Sequence, residues 1–296
     1  MSASVGVRAV AAPVLARLAD ARTAPLSVSA SAGYLDLDGF VAVLFEAGTP
    51  WLPNGIALTA PPPAAGGMAE IAPGSLRVDG WSAAWDAERP PVWWPVVAAP
   101  ASDSEALAAR GEAILGALGV SALGPQSLAW AMGDEATAPG AEALGLLLHA
   151  LATRDPRLAR RAGRALTGRG PGLTPQGDDV LAGVAVTVAA AGGAAGLGLE
   201  ARAVWLAALV PADVRTRTTA LAATLLELAV AGAAARPVHA LLDLARDDWR
   251  AELGRLEALG ESTGRATALG VGAAAALLGR ATARRVSATA APHLPA

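Results

Sequence analysis

The chain has 296 residues, enough for one large or two ordinary domains with an ample core, and a formal net charge of −3, which gives it no general affinity for nucleic acid or an anionic membrane. All 23 basic residues are arginine and cysteine is absent, so a Schiff-base lysine, covalently held pyridoxal phosphate, a thiol nucleophile, iron–sulfur clusters and cysteine-bound zinc are excluded. The three histidines, His149, His239 and His293, are too scattered for a histidine-rich metal site, and no haem is expected.

In chain order, residues 9–16 form an apolar run between Arg8 and Arg17. Pro13 interrupts it and Asp20 and Arg22 follow closely, so it reads as a leading amphipathic helix rather than a signal peptide. A cytoplasmic location is expected on that ground. Residues 25–100 carry most of the prolines and aromatics and little helical periodicity. Short apolar or alternating runs at 26–30, 40–45, 55–59 and 75–80, bounded by turn residues, predict several short strands in a small sheet or barrel. Pro61-Pro62-Pro63 with Gly66-Gly67 marks an exposed loop. Trp81, Trp85, Trp93 and Trp94 close this region, either sealing the sheet against helices or lining a pocket or subunit contact.

Ser102-Asp103-Ser104-Glu105 begins a helical pattern that runs through Leu118. Further helices are predicted near 140–153, 156–167, 175–191, 199–209, 215–231, 237–259 and 263–280, with a small, polar tail fraying from Val286. The expected fold is therefore α+β: a small β-rich N-terminal domain over 1–100, with a leading helix, and an α-helical domain over 101–296. The uncharged run 180–199 has the length of a membrane span, but two aspartates precede it and Gly192-Gly193 breaks it. A buried core helix is the better reading, and no membrane partner is expected.

The richest motif is residues 168–179, which packs four glycines and two prolines ahead of that run. Thr174 has the chemistry of an N-cap, with Pro175 at the first helical position. Gly170, Gly172, Leu173 and Gly177 let the backbone approach a ligand and leave N–H groups outward, a geometry suited to a phosphate or carboxylate. Arg169 sits inside the loop. Asp178 and Asp179 lie in the first turn and would repel a bare anion; a bridging Mg2+ held by them would resolve that conflict. Adjacent helical residues point about 100° apart, so one aspartate is expected to serve the ligand and the other the helix cap. A tight, ligand-free helix entry is the plainer alternative.

Three further features bear on the same site. Arg157, Arg160, Arg161 and Arg164 share one helical face, either solvated or open to a partner's carboxylates. Arg215-Thr216-Arg217-Thr218-Thr219 offers two guanidinium groups and three hydroxyls at a helix start, a set that binds carboxylate or phosphate and otherwise caps the helix. Ser262-Thr263-Gly264 opens another apolar helix, and Gly264 and Gly270 repeat the spacing of Gly177 and Gly183. Two such helix starts would face one another across a cleft.

The segment 166–183 closely resembles the signature of the AllH-like family, associated with a subunit of bacterial oxamate carbamoyltransferase in purine and allantoin breakdown. The resemblance implies a small anionic substrate and other subunits of a carbamoyltransferase-like complex as partners. It also carries Thr218 and Thr219 over as a recurring pair. The chain departs from the family pattern at Glu261 and Ala266, near which the family has histidine and aspartate. Three readings follow: a carbamoyltransferase subunit using Arg169, Arg215 and Arg217 with the loop N–H groups, a non-catalytic assembly subunit, and a magnesium-dependent phosphoryl-transfer enzyme.

Overall fold

The computed structural model describes residues 3–29, 31–46, 48–100, 103–120, 124 and 138–290. It is α+β, with a β-barrel followed by a bundle of helices. The first nine strands are β1 (Ala3–Ala11), β2 (Thr23–Val28), β3 (Ala32–Leu37), β4 (Phe40–Glu46), β5 (Gly55–Leu58), β6 (Gly67–Ala72), β7 (Ser75–Val78), β8 (Trp81–Ala84) and β9 (Val92–Trp93). Their order is β5-β4-β3-β2-β6-β7-β8-β1-β9, and β5 also pairs with β1. That pairing closes eight strands into a barrel and leaves β9 outside the ring, parallel to β1. Closure removes the exposed edges that a short sheet would otherwise present. Leu35, Leu44, Ile56, Leu58 and Leu76 are fully buried in its core.

Helix α1 (Ala12–Asp20) follows β1 rather than leading the chain. The alanine-rich composition favours helix there, but Val7, Ala9 and Val10 pair with β5 and Ser4 and Val5 with β8, and this pairing overrides local preference. Trp81 and Trp93 are buried in the barrel core, and Trp93 packs against Trp51 and His239 with ring centroids 5.8 and 6.1 Å apart. These two tryptophans seal the barrel, whereas Trp94 is 73% exposed.

The helices are α2 (Ser104–Ala117), α3 (Ala138–Thr153), α4 (Pro156–Leu166), α5 (Gln176–Ala191), α6 (Leu199–Leu209), α7 (Ala220–Val230), α8 (Arg236–Leu242), α9 (Trp249–Glu257) and α10 (Thr263–Ala290). Asp103 caps α2 by accepting from the N–H groups of Glu105 and Ala106. The predicted helix over 215–231 is a 3-10 turn at Val214–Thr216 and then α7, which starts where the Thr219 hydroxyl accepts from Ala222 N–H. The predicted helix over 237–259 is two helices. Between them the Arg110 guanidinium donates to the carbonyls of Ala240, Leu241, Asp243, Leu244 and Arg246, which holds the chain open there. Helix α10 continues past Val286, where a frayed tail is predicted. No helix among the described residues is long and apolar enough to cross a membrane, and α5 ends at Gly192 as its glycines predict.

Helix α5 is buried along nearly its whole length and packs on α10 through two glycines. A Cβ on Gly183 would lie 2.2 Å from the Thr267 carbonyl oxygen, and one on Gly270 would lie 2.2 Å from that of Val180. On the other side of α10, a Cβ on Gly111 of α2 would meet the Ala276 nitrogen at 2.3 Å. The barrel is held to this bundle by α7 lying along β4. Val41 N–H donates to the buried Thr224 hydroxyl, and Leu228 enters the barrel core.

These contacts give a direct test by chemical denaturation. Gly270→Ala forces backbone apart between two core helices and should cost about 1–3 kcal/mol. Gly254→Ala, on α9 with nothing within 4 Å of the added carbon, should be neutral or stabilise by about 0.5–1 kcal/mol. Similar effects at both positions would show that the α5–α10 approach is not tight.

Candidate functional site

The two glycine-bearing helix starts do face one another. Helix α5 begins at Gln176, one residue later than predicted, with Pro175 in the N-cap position and no side-chain cap. The Pro175 carbonyl accepts from Asp178 and Asp179 N–H at 2.9 and 3.2 Å. Thr174 is therefore not the cap. Its hydroxyl lies 2.6 Å from that of Thr263, the first residue of α10. The Gly183–Gly270 approach a few residues further on brings these hydroxyls together.

Asp178 and Asp179 are 2% and 3% exposed, two of the few buried charged side chains among the described residues. Their surroundings differ. Asp178 Oδ1 accepts from Gly168 N–H at 2.9 Å and Oδ2 from the Thr218 hydroxyl at 2.5 Å, so this carboxylate ties the glycine loop to the segment before α7. Burial pushes its pKa up, and those two hydrogen bonds pull it back in part. Asp179 is pushed well above the usual carboxylate range, first by burial and then by the charge of Asp178. The Thr263 and Thr174 hydroxyls oppose this shift without cancelling it. Asp179 Oδ2 is buried with no hydrogen-bond partner among the described residues.

Both aspartates line a cavity of about 70 Å³. Its walls come from α5, α7, α8, α9 and α10, with Leu52 and Pro53 before β5 closing the barrel side. Apart from the two aspartates, its polar side chains are those of Thr263 and Thr267. Ala182, Val186, Leu225 and Val238 are typical of the rest, and no basic side chain lines it among the described residues.

The arginines named from sequence lie elsewhere. Arg169 donates from Nε to the Ala165 carbonyl at 3.3 Å, and its own carbonyl accepts from Gly177 N–H. Arg215 bonds the Gly39 carbonyl at the β3–β4 turn and pairs with Glu227. Arg217 pairs with Asp213 at 2.8 Å. Arg157, Arg160, Arg161 and Arg164 lie on the exposed face of α4, Arg164 within 4.0 Å of Asp213. Thr219 caps α7 and also donates to the Leu173 carbonyl. Ser262 uses its carbonyl to accept from Ala266 N–H, and Ala266 is buried.

The glycines of the motif divide by role. A Cβ on Gly177 would lie 2.2 Å from the Leu166 carbonyl oxygen, and one on Gly264 would lie 1.6 Å from that of Leu256, so both serve helix packing. Gly168, at φ +75°, would collide with the Arg217 carbonyl. Gly172, at φ +89°, has open space around it. With Gly170 and Leu173 it forms the exposed crest of the loop, whose N–H groups have no hydrogen-bond partner among the described residues. Sequence reasoning missed Thr267 and the Leu52-Pro53 wall. Thr267 sits one turn beyond Thr263 and was open to detection by spacing, whereas the wall depends on how the barrel docks.

A magnesium ion fits this donor set poorly. Both oxygens of Asp178 already accept hydrogen bonds, and apart from Asp179, Thr263 and Thr267 the side chains found lining the cavity are apolar, so little there replaces the hydration that Mg2+ gives up reluctantly. The pair has a measurable consequence for stability. An acid whose pKa is higher folded than unfolded favours the fold while protonated, and this contribution is lost as pH rises through the raised value. It is full only below the unfolded range near about pH 4. Asp179→Asn removes the ionisable group, so its unfolding midpoint should exceed that of the parent at about pH 8 and converge on it towards about pH 4. A midpoint difference independent of pH would show that Asp179 is not the strained carboxylate.

No curated protein and no solved structure matches the chain. A family model does: residues 166–275 match Oxamate carbamoyltransferase subunit AllH, which bears out the AllH-like resemblance over the segment that contains Asp178, Asp179, Thr174, Thr218 and Thr263.

Proposed function

We propose that this chain is a subunit of an oxamate carbamoyltransferase-like complex, acting on a small carbamoylated or carboxylate substrate in purine and allantoin catabolism. The observation that carries this reading is where the family match falls. It begins at the end of α4 and reaches into α10, so it takes in the glycine loop, the two aspartates and every cavity wall except Leu52 and Pro53.

Carbamoyl transfer requires a polarised carbonyl and balanced negative charge, and neither demands a covalent nucleophile. The exposed N–H groups of Gly170, Gly172 and Leu173 supply uncharged donors at the crest of the loop, with Arg169 beside them as the cation. Arg215 and Arg217 act at one remove: their ion pairs with Glu227 and Asp213 fix the segment that presents Thr218 and Thr219. The exposed arginines of α4 and the exposed Trp94 offer charged and apolar surface to other subunits. A non-catalytic assembly role uses the same surfaces with the loop completing a partner's site. Phosphoryl transfer through a magnesium ion held by Asp178 or Asp179 is the less favoured reading, because both oxygens of Asp178 already accept hydrogen bonds and the cavity lining is largely apolar.

Reconstitution tests the proposal. The chain purified alone should show little carbamoyl transfer from carbamoyl phosphate to oxamate. Co-purification with the products of neighbouring genes should give a larger species in size-exclusion chromatography and restore transfer. Arg169→Ala in that complex should lower turnover by on the order of 10²-fold, the usual effect of losing one donor to a developing oxyanion. Full activity from the isolated monomer would overturn the subunit reading.

A further inference from the structure

We infer that the cavity between the starts of α5 and α10 is a recognition site for an uncharged primary amide or carbamoyl group, with Asp179 as hydrogen-bond donor and Asp178 as acceptor. The inference deepens the carbamoyltransferase reading and rests on it for its biological meaning.

Two independent observations meet at this site. One is a partly open cavity: about 70 Å³, where about 10–15 Å³ suffices for a water, so a group of several non-hydrogen atoms fits. The other is a side chain 3% exposed, lining that space, with Oδ2 lacking any hydrogen-bond partner. A buried polar atom left unpartnered is costly, so its persistence points to a partner that the described residues do not supply.

The chemistry of that partner follows from charge. Asp178 is the carboxylate with its charge met, by Gly168 N–H and the Thr218 hydroxyl. Asp179 has no backbone donor among the described residues, only the Thr263 and Thr174 hydroxyls, and sits beside that carboxylate in apolar surroundings, which disfavours its ionised form. A carboxylate or phosphate placed in the cavity would add negative charge beside two carboxyl groups, with no cation lining it among the described residues. A neutral amide fits. Its carbonyl accepts from the Asp179 hydroxyl, while its N–H groups donate to Asp178 and to the threonine hydroxyl oxygens. Specificity comes from the same place, because a ligand without both donors and an acceptor leaves a buried group unpaired.

Backbone amide NMR on the full-length chain, titrated separately with acetamide, urea, acetate and Mg2+, tests the inference. Acetamide and urea should shift the resonances of Asp179, Thr263 and Gly264, saturating at millimolar concentration, and acetate should leave them unchanged. Asp179→Asn, which keeps a donor and stays neutral, should retain acetamide binding within a few fold. Asp179→Ala, checked for folding by its thermal midpoint, should weaken it at least tenfold. Acetate binding as well as acetamide, Mg2+ shifting the same resonances in the parent but not in Asp179→Asn, or no shift with either amide would each overturn the inference. Reconstituted carbamoyl transfer in a complex whose subunit fails these titrations would sink this inference alone. Amide binding in a chain that never supports transfer would sink the subunit reading alone.

Discussion

The contact on which the site depends is the near-touching of two helix backbones. Gly183 and Gly270 leave no side chain between α5 and α10, so each helix lies against a carbonyl of the other. That closeness places the first turns of both helices side by side and sets Thr174 within hydrogen-bond distance of Thr263. With larger residues the helices would stand apart by a side-chain layer. Asp179 would then open to water, and its carboxyl would ionise at the ordinary pH of an aspartate.

Burying two acids at one point needs compensation, and the fold supplies it unevenly. Both first turns present the positive ends of helix dipoles, which favours one negative charge there. Asp178 is the better placed to carry it, because Gly168 and Thr218 donate to it from segments the glycine loop and the Arg217–Asp213 pair hold in place. Asp179 is met by the Thr263 and Thr174 hydroxyls, which do not cancel the effect of burial and of the neighbouring Asp178 charge. The strain at Asp179 is thus a product of the same packing that stabilises the bundle, and such local conflict is typical of sites shaped by function.

Much of this could be read from the residues. The repeated glycine spacing at 177/183 and 264/270 announced two facing helix starts, because only a close approach requires small residues at matching heights. The Asp79-Gly80 turn, with Gly80 at φ +71°, joined β7 to β8 as its chemistry demands. Other features were out of reach because distant segments decide them. Strand β1 exists through its pairing with β5 and β8, although its alanines and the following proline suit a helix entry. The break between α8 and α9 is set by Arg110, more than a hundred residues earlier. Arg215 read as a ligand group from its neighbours, yet its partners are a turn carbonyl in the barrel and a glutamate on α7. Thr174 read as a cap, and its hydroxyl is instead turned across to α10.

The barrel has a part in the site even though the family match leaves it out. Leu52 and Pro53 form one wall of the cavity, and they are fixed by contacts that tie the two regions together. The buried Asn54 donates to the Val41 carbonyl at 2.8 Å, while Val41 N–H donates to Thr224 on α7. Arg236 N–H donates to the Trp51 carbonyl, and Ala234 N–H to that of Pro95. The strand that carries Val41, the turn that carries Pro53 and the helix that lines the cavity are thereby one hydrogen-bonded unit. Movement of the barrel against α7 would open the apolar side of the cavity and admit water to the aspartates.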